Sequence, residues 1–511
     1  MKILTNDEIR QIEDKTIERH NISRIELIEH VAGAVAAEVK LHCRREGKLI
    51  VLAGWGNNGA DALETARLLA GEGYSPEVYF FNIGHRLSDE CAQMRDRAIG
   101  TPGLTLYEIT GQESFHWPEP EPTTTIIDGL FGSGLNRPLP RTFQLLARNI
   151  NESGATVISI DIPSGLMGEW NGSAPRQDMI HATVTVGIEF PRLAYMLRDN
   201  ASVVGKWKIV RIGYDTDAIR EAPFTFVLVD QGLVNGVLEH RDPFASKHDF
   251  GSAFVVAGSY GMAGAAVLSA RGALRGGAGK VTVFSCADLF NIIQTSVPSA
   301  MFMADKSPRY VTNIPFDPSF TAFGVGPGIG TSDETAIAFE KFVKAVSAAG
   351  KRMVVDADAL NIIAKRPNIL NYLPPLSILT PHVGEFDRIF GESTSDEERL
   401  KKAIKCAEDY HIIIVLKGRY TTIVRPDGKL MFNSSGTPAM ATPGSGDVLT
   451  GILTGLMATG MKSEYAAFVG PYIHGVAGEI AAELHGEFGV TAEDIAENVG
   501  RAIKKIMNNE K

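Results

Sequence analysis

A chain of 511 residues is longer than one ordinary hydrophobic core organises, so two or three domains are expected. Its 44% apolar and 22% charged residues are globular proportions, and a net charge of −10 argues against a dedicated nucleic-acid binder while leaving room for a local nest of amides around phosphate. Cys43, Cys91, Cys286 and Cys406 are scattered without a CxxC pair, and neither a signal core nor a bilayer-length apolar run is present; the expectation is a cytoplasmic protein with no membrane partner.

Thr5, with Glu8 three residues on, predicts a capping box, and Ile9, Ile12, Ile17, Ile25, Leu27 and Ile28 supply loose helical spacing behind it. At Lys48 the grammar changes. KLIVLAG reads as a buried strand, GWGNNGAD as a turn, and ALETARLLAGEG as a helix with Ala62, Leu63, Ala66, Leu69 and Ala70 on one face. PEVYFFN is the next strand. TTTIIDGLFGSGL and GATVISIDIPSGL repeat one formula: apolar run, acid, glycine-rich turn. HATVTVGI and GKWKIVRIG complete the set. Strands alternating with helices predict an α/β fold with a Rossmann-like, doubly wound, mostly parallel sheet.

The pattern weakens between Gly213 and Ser246, which places a domain boundary near Ala222. It restarts at GSAFVVAGSYGMAGAAVLSARGALRGGAGKVTVFS, a strand–glycine–helix–strand unit. GVGPGIG, KRMVVDADALNIIA, LSILTPHVGEF and HIIIVLKG extend it. YTTIVRPDGKLMFN reads as a hairpin turning at Pro426, Asp427 and Gly428.

Ligands of open parallel sheets collect beyond the carboxyl ends of the strands. Three loops of the first half should meet there: Asn57 to Asp61, the turn after Asp128, and Asp161 with Ser164 and Gly165. The first loop opens a helix, so its amides suit phosphate. Acids beside phosphate repel it unless a cation intervenes or they face another part of the ligand. Asn58, Asp128 and Ser164 offer hard oxygens to such a cation. Each aspartate equally suits a helix cap or a turn. The glycines match a dinucleotide fingerprint poorly, since no acid follows the second strand.

In the second half, TPGSGDVLTGILTGL offers the amides of Gly444, Ser445 and Gly446 and the positive end of a long helix, which is an anion hole. Asp447 beside it is either a plain cap or a base that takes a hydroxyl proton while the amides steady a phosphoryl group. His382 suits a turn or a ligand contact. Lys417 suits a solvated charge or a contact to a nucleotide. Asp356, Asp358 and Asn361 suit capping as well as metal or nucleotide binding.

Together and in this order, these motifs resemble the bifunctional NAD(P)H-hydrate repair enzymes over nearly the whole chain. The resemblance implies an NAD(P)HX epimerase domain over residues 1–221 and an ADP-dependent NAD(P)HX dehydratase domain of ribokinase-like fold over 222–511. It implies NADHX or NADPHX as substrate, held by Asn57, Asn58, Gly59, Ala60 and Asp61 and by Gly132, Ser133, Gly134, Leu135, Asn136, Arg137 and Pro138. A potassium ion is implied at Asn58, Asp128 and Ser164, with Asp161 meeting the ligand as the acid–base group. In the second domain it implies that ADP, with magnesium, phosphorylates the hydroxyl of the S epimer, and that loss of phosphate restores NAD(P)H. Ala265, Gly328, Gly330 and His382 then hold NAD(P)HX, Lys417, Gly418, Arg419, Tyr420, Thr421 and Gly446 hold the nucleotide, and Asp447 is the base. Homo-oligomers are the implied assembly. Ala60 stands where the family usually carries a second glycine; if residue 60 takes positive φ, alanine costs about 1 kcal/mol there. A competing reading of the residues is a small-metabolite kinase with a non-catalytic N-terminal binding module.

Overall fold

The computed structural model describes residues 1–84, 87–111, 119–172 and 174–508. It divides into two compact units. One comprises Lys2–Phe224 with Ser395–Glu397; the other comprises Met1, Thr225–Thr394 and Glu398–Lys511.

In the first unit seven parallel strands form one sheet: β1 (Leu49–Ala53), β2 (Pro76–Phe81), β3 (Thr105–Ile109), β4 (Thr125–Gly129), β5 (Thr156–Ile160), β6 (Val184–Ile188) and β7 (Lys206–Val210), in the order β3-β2-β1-β4-β5-β6-β7. Successive side chains of a strand point to opposite faces. Accordingly Val51, Val78, Phe80, Ile127 and Ile158 pack with the helices of one face, and Ile50, Leu52, Phe81, Ile126 and Val157 pack with Phe143 and Leu146 on the other. Burial on both faces is why these strands read as continuous apolar runs. Chain order reverses between β1 and β4, so the loops after them part at a topological switch point.

The expected capping box at Thr5 opens helix Asn6–His20, and a second one at Ser23 opens helix Arg24–His42. Helix Asn57–Gly71 starts directly after β1. Ala60 lies in its first turns, donates its amide to Gly56 O at 3.0 Å, and is not among the residues with positive φ. The strain considered for alanine at that position is therefore absent. The glycine that the turn does require is Gly59, where a Cβ would lie 1.9 Å from Gly54 O.

The second unit carries β8 (Phe226–Val229), β9 (Ser252–Val256), β10 (Lys280–Ser285), β11 (Met301–Ala304), β12 (Ala322–Val325), β13 (Met353–Val355), β14 (Ile378–Leu379), β15 (Ile413–Leu416), β16 (Thr422–Val424) and β17 (Leu430–Asn433). They run in the order β8-β17-β16-β15-β14-β13-β12-β9-β10-β11. From β15 to β11 neighbours are parallel; β15-β16 and β16-β17 are antiparallel, and the latter pair is the expected hairpin.

Helix Ser445–Ala458, buried over most of its length, packs on helix Ala263–Arg275. Small residues set the approach: a Cβ on Gly451 would lie 2.1 Å from Ser269 O, and one on Gly272 2.4 Å from Val448 O. Leu268 adjoins Gly444, Gly272 adjoins Val448, and Gly276 adjoins Ile452, so the contacts advance together along both helices. The two helices are parallel, and both N-termini open at the same end of the unit.

Candidate active sites

At the switch point of the first sheet lies a cleft of about 610 Å³. Asn57, Asn58 and Asp61 form one wall. Gly132, Ser133, Gly134, Leu135, Asn136, Arg137 and Pro138 all line it, as does Asp161. Gly59 and Ala60 lie behind that wall and do not line the cleft.

Asp128, at the end of β4, is wholly buried and does not cap a helix. One carboxylate oxygen accepts from Ser164 Oγ at 2.5 Å; the other accepts from Ser159 Oγ and Ser164 N, each at 2.8 Å. Burial raises its pKa, against the opposing pull of the Ser164 and Ser159 hydrogen bonds. Ser164 Oγ also accepts from Phe131 N at 3.0 Å. The Asn58 carboxamide sits against Gly132, where a Cβ would lie 3.3 Å from its Cγ. Its buried Nδ2 has no hydrogen-bond partner among the described residues. With the amide turned over, an unpartnered oxygen would stand at that point. Asn58, Asp128 and Ser164 thus converge on the 129–132 turn with an orphaned polar edge and a buried anion, a donor set that fits a hard monovalent cation.

Asp161 follows β5 with φ +61°, an unfavourable backbone for a residue with a side chain. It caps nothing either. Oδ1 accepts from Arg192 Nη2 at 2.7 Å and Nε at 3.1 Å, and Oδ2 accepts from Ser133 N at 3.1 Å. The Tyr195 hydroxyl donates to its carbonyl. Asp61, on the opposing wall, is a second nearly buried acid, and none of the described residues donates to its carboxyl. Burial, then Asp161, then Glu13 push its pKa well above the usual carboxylate range. Arg192 escaped the sequence reading, because one arginine in FPRLAYM has no periodic or motif signal.

In the second unit Gly444 holds φ +88° immediately before helix Ser445–Ala458, and no side chain caps that helix start. Asp447 is its third residue, not its cap. No described residue hydrogen-bonds its carboxylate, whose pKa rises to about 7 through burial first and Asp356 second, with Lys417 pulling the other way. Beside it, Lys417 Nζ donates to Asp356 Oδ1 at 2.9 Å and lies 3.9 Å from Glu385 Oε2. Thr450 Oγ1 donates to the other Asp356 oxygen at 2.6 Å. Asp356 stands at the start of helix Ala357–Lys365 yet makes no capping bond, so its carboxylate is spent on Lys417 and Thr450. Lys417 is accordingly no solvated charge. Gly446 brings its backbone to this pair, with a built Cβ 3.4 Å from Lys417 Nζ.

Around this centre, Gly330 N donates to Asp358 Oδ2 at 2.9 Å, and Ser259 Oγ donates to Gly328 O at 2.7 Å. Ala265 packs its Cβ against Gly328. His382 caps helix Val383–Phe390, its Nδ1 accepting from Gly384 N at 3.0 Å and Glu385 N at 3.3 Å; its Nε2 lies 3.6 Å from Glu385 Oε1 on a half-exposed side chain. Arg419 donates to Gly436 O at 3.2 Å and lies over the Tyr420 ring; Gly418 and Thr421 close a turn. His474, buried behind Ser445, is lowered to about 4 by burial and is neutral near pH 7.

One unit thus offers a paired acid in a glycine-walled cleft, the other an unpaired acid at a helix-borne anion hole: a two-site enzyme. A family model described as YjeF-related protein N-terminus matches residues 24–194, and one described as NAD(P)H-hydrate dehydratase matches residues 253–501. Over 499 residues the chain is 31% identical to the bifunctional NAD(P)H-hydrate repair enzyme Nnr of Coxiella burnetii, covering 96% of this chain and 97% of that one. It is 29% identical to the same enzyme of Thermofilum pendens, covering 99% and 97%. The ADP/ATP-dependent NAD(P)H-hydrate dehydratase of Bacillus subtilis, co-crystallized with ATP and Mg2+, covers 55% of this chain and 98% of its own at 29% identity and a TM-score of 0.48. The chain belongs to the bifunctional NAD(P)H-hydrate repair enzyme family.

Proposed function

We propose that this chain repairs hydrated nicotinamide cofactors in two steps, with NAD(P)HX epimerisation assigned to residues 1–221 and ADP-dependent dehydration of S-NAD(P)HX to residues 222–511. The observation that carries the reading is Asp447: a carboxylate to which no described residue donates, in the first turn of a helix where Ser445 N donates to Thr442 O at 3.3 Å and the Gly446 amide has no described acceptor. As a base it takes the proton of the substrate hydroxyl, while the Gly444 and Gly446 amides and the helix dipole hold the terminal phosphoryl group of ADP that the hydroxyl attacks, with AMP as leaving group. Its raised pKa, about 7, makes it a stronger base than an ordinary carboxylate while keeping it substantially ionised at neutral pH. Lys417 and Thr450 fix Asp356 beside it, so the competing carboxylate is already occupied. Departure of phosphate from the phosphorylated carbon, with loss of a proton from the neighbouring carbon, then forms the C=C bond that restores NAD(P)H. The residues proposed for the nucleotide are Lys417 to Thr421 and Gly446. Ala265, Gly328, Gly330 and the half-exposed His382 are proposed for NAD(P)HX.

Among the described residues no group of three or more His, Cys, Asp or Glu side chains is arranged as a metal cage. Magnesium would be carried on the nucleotide phosphates, the usual way of binding an ion that keeps most of its water. In the first unit Asn57, Asn58 and Asp61 with Gly132 to Pro138 bind NAD(P)HX, with Asp161 as the acid–base group. Asn58, Asp128 and Ser164 would hold potassium, which offsets negative charge near the ligand phosphates. Fusing the two activities suits the chemistry, since the dehydratase consumes one epimer and the neighbouring unit replenishes it from the other. A cytoplasmic setting fits four cysteines that are all free, in a protein with no described helix long and apolar enough to cross a membrane. A homo-oligomer is the proposed assembly, and the edge strand β11 with its exposed Met301 and Met303 favours it.

The test supplies purified protein with resolved R and S epimers of NADHX, with and without ADP. Reduced-nicotinamide absorbance should return from both epimers, and only when ADP is present. Accumulation of a stable phosphorylated product instead would support the metabolite-kinase reading.

A further inference from the structure

The acid in the first cleft is held more firmly than its turn position requires, and the holding group comes from a segment with no assigned role. Arg192 and Asp161 are both nearly buried, 5% and 9% exposed in their side chains. Two guanidinium nitrogens converge on the single oxygen Oδ1, which leaves Oδ2 turned toward Ser133 N in the cleft-lining glycine loop. Behind the guanidinium stands Asn6, on the first turn of the N-terminal helix. Its Oδ1 accepts from Arg192 Nη1 at 3.4 Å, and its Nδ2 donates to Ser133 O at 2.5 Å. Asn6, Arg192, Asp161 and Ser133 therefore close a ring of contacts that joins three separate chain segments around one carboxylate. The backbone of Asp161 sits at φ +61°, a conformation that persists only where surrounding contacts impose it.

We propose that Arg192, backed by Asn6, is a positioning residue that fixes the Asp161 carboxylate so that Oδ2 faces the ligand side of the Ser133–Pro138 loop. This rests on the reading of that cleft as the epimerase site. Arg192 and Asn6 themselves line the cleft, and the role assigned to them is to hold Asp161. A planar fork is suited to this in a way an ammonium is not, because it constrains the carboxylate in plane and azimuth, not distance alone. Without it, the strained residue relaxes, and a buried acid is left beside Asp61 with no counter-charge.

The experiment measures R/S exchange of NADHX, resolved chromatographically, for Arg192→Met, Arg192→Lys, Asn6→Ala and Asp161→Asn, and for the Arg192→Met/Asp161→Asn double variant. For Arg192→Met, kcat should fall about 100-fold while KM changes less than about threefold. Arg192→Lys should recover part of that loss, and Asn6→Ala should lose about three- to tenfold in kcat. The double variant should be no slower than Asp161→Asn alone, because a group that works through another contributes nothing once the other is gone. Crystal structures of Arg192→Lys and Asn6→Ala give a readout independent of turnover: Oδ2 should have left Ser133 N. If both variants keep wild-type kcat and an unmoved Asp161, or if the double variant multiplies the two losses, the inference is overturned. A wild-type protein without exchange would instead count against the epimerase reading, and the crystal structures would still decide the role of Arg192.

Discussion

The two acids of this molecule are prepared in opposite ways. Asp161 is tied down on both oxygens and the strain of its backbone is held by neighbours, whereas Asp447 receives no hydrogen bond from any described residue and has its proton affinity raised by burial. Each arrangement suits a different demand. An acid that must meet one carbon from a fixed direction benefits from orientation. A base that must accept a proton near neutral pH benefits from a pKa near 7, and hydrogen bonds to its charged form would lower that value. In the second site the counter-charge is diverted to a neighbour: Lys417 binds Asp356, not Asp447.

This contrast can be broken from either side. The largest expected effect is for Asp161→Asn, which should slow R/S exchange by roughly 10²–10⁴-fold, the range for losing a general acid–base group, while ADP-dependent conversion of pure S epimer stays within about twofold. Loss of both activities would show that the two sites are not separable.

Lys417→Met leaves Asp356, 1% exposed in its side chain, without its cation. Breaking a buried pair costs about 3–5 kcal/mol; the partial exposure of the lysine brings the expectation to about 2–3 kcal/mol, read from urea unfolding monitored in the second unit. A change below about 0.5 kcal/mol would mean the pair is ornamental.

The pH dependence sharpens the contrast further. Asp447 works as a base only when ionised, and its pKa is raised to about 7. The kcat/KM of dehydration should therefore fall about tenfold per pH unit as pH drops below 7, and flatten above it. A limb near pH 4 would identify a different, unperturbed carboxylate as the base.

The smallest expected effect concerns the residue that the family pattern makes conspicuous. Ala60 is helical, so Ala60→Gly should destabilise the first unit by about 0.5–1 kcal/mol and leave exchange unimproved. A faster epimerase would show that the methyl does obstruct the site.

Much of the fold was legible because buried parallel strands write themselves as apolar runs, and the acid–glycine formula after β4 and β5 marks where they end. The weaker signals are physical too. Strand β3, half exposed at the sheet edge, has no continuous run, and the helices Asp89–Ile99 and Arg141–Glu152 left no motif to notice. Of the sites, the wall residues were legible as motifs, but their pairing was not. Arg192 meets Asp161 across 31 positions, Lys417 meets Asp356 across 61, and Thr450 meets it across 94. No local pattern encodes such partners. The three aspartates Asp128, Asp161 and Asp356 looked as suited to capping as to function, and only their hydrogen bonds separate the two roles.

The most direct test of the account is a single variant, Asp447→Asn, assayed for both activities in one preparation. The account predicts that ADP-dependent return of reduced-nicotinamide absorbance is lost while R/S exchange proceeds at the wild-type rate. Full dehydration by that variant would contradict it, because the proton would then be leaving the substrate for some other group.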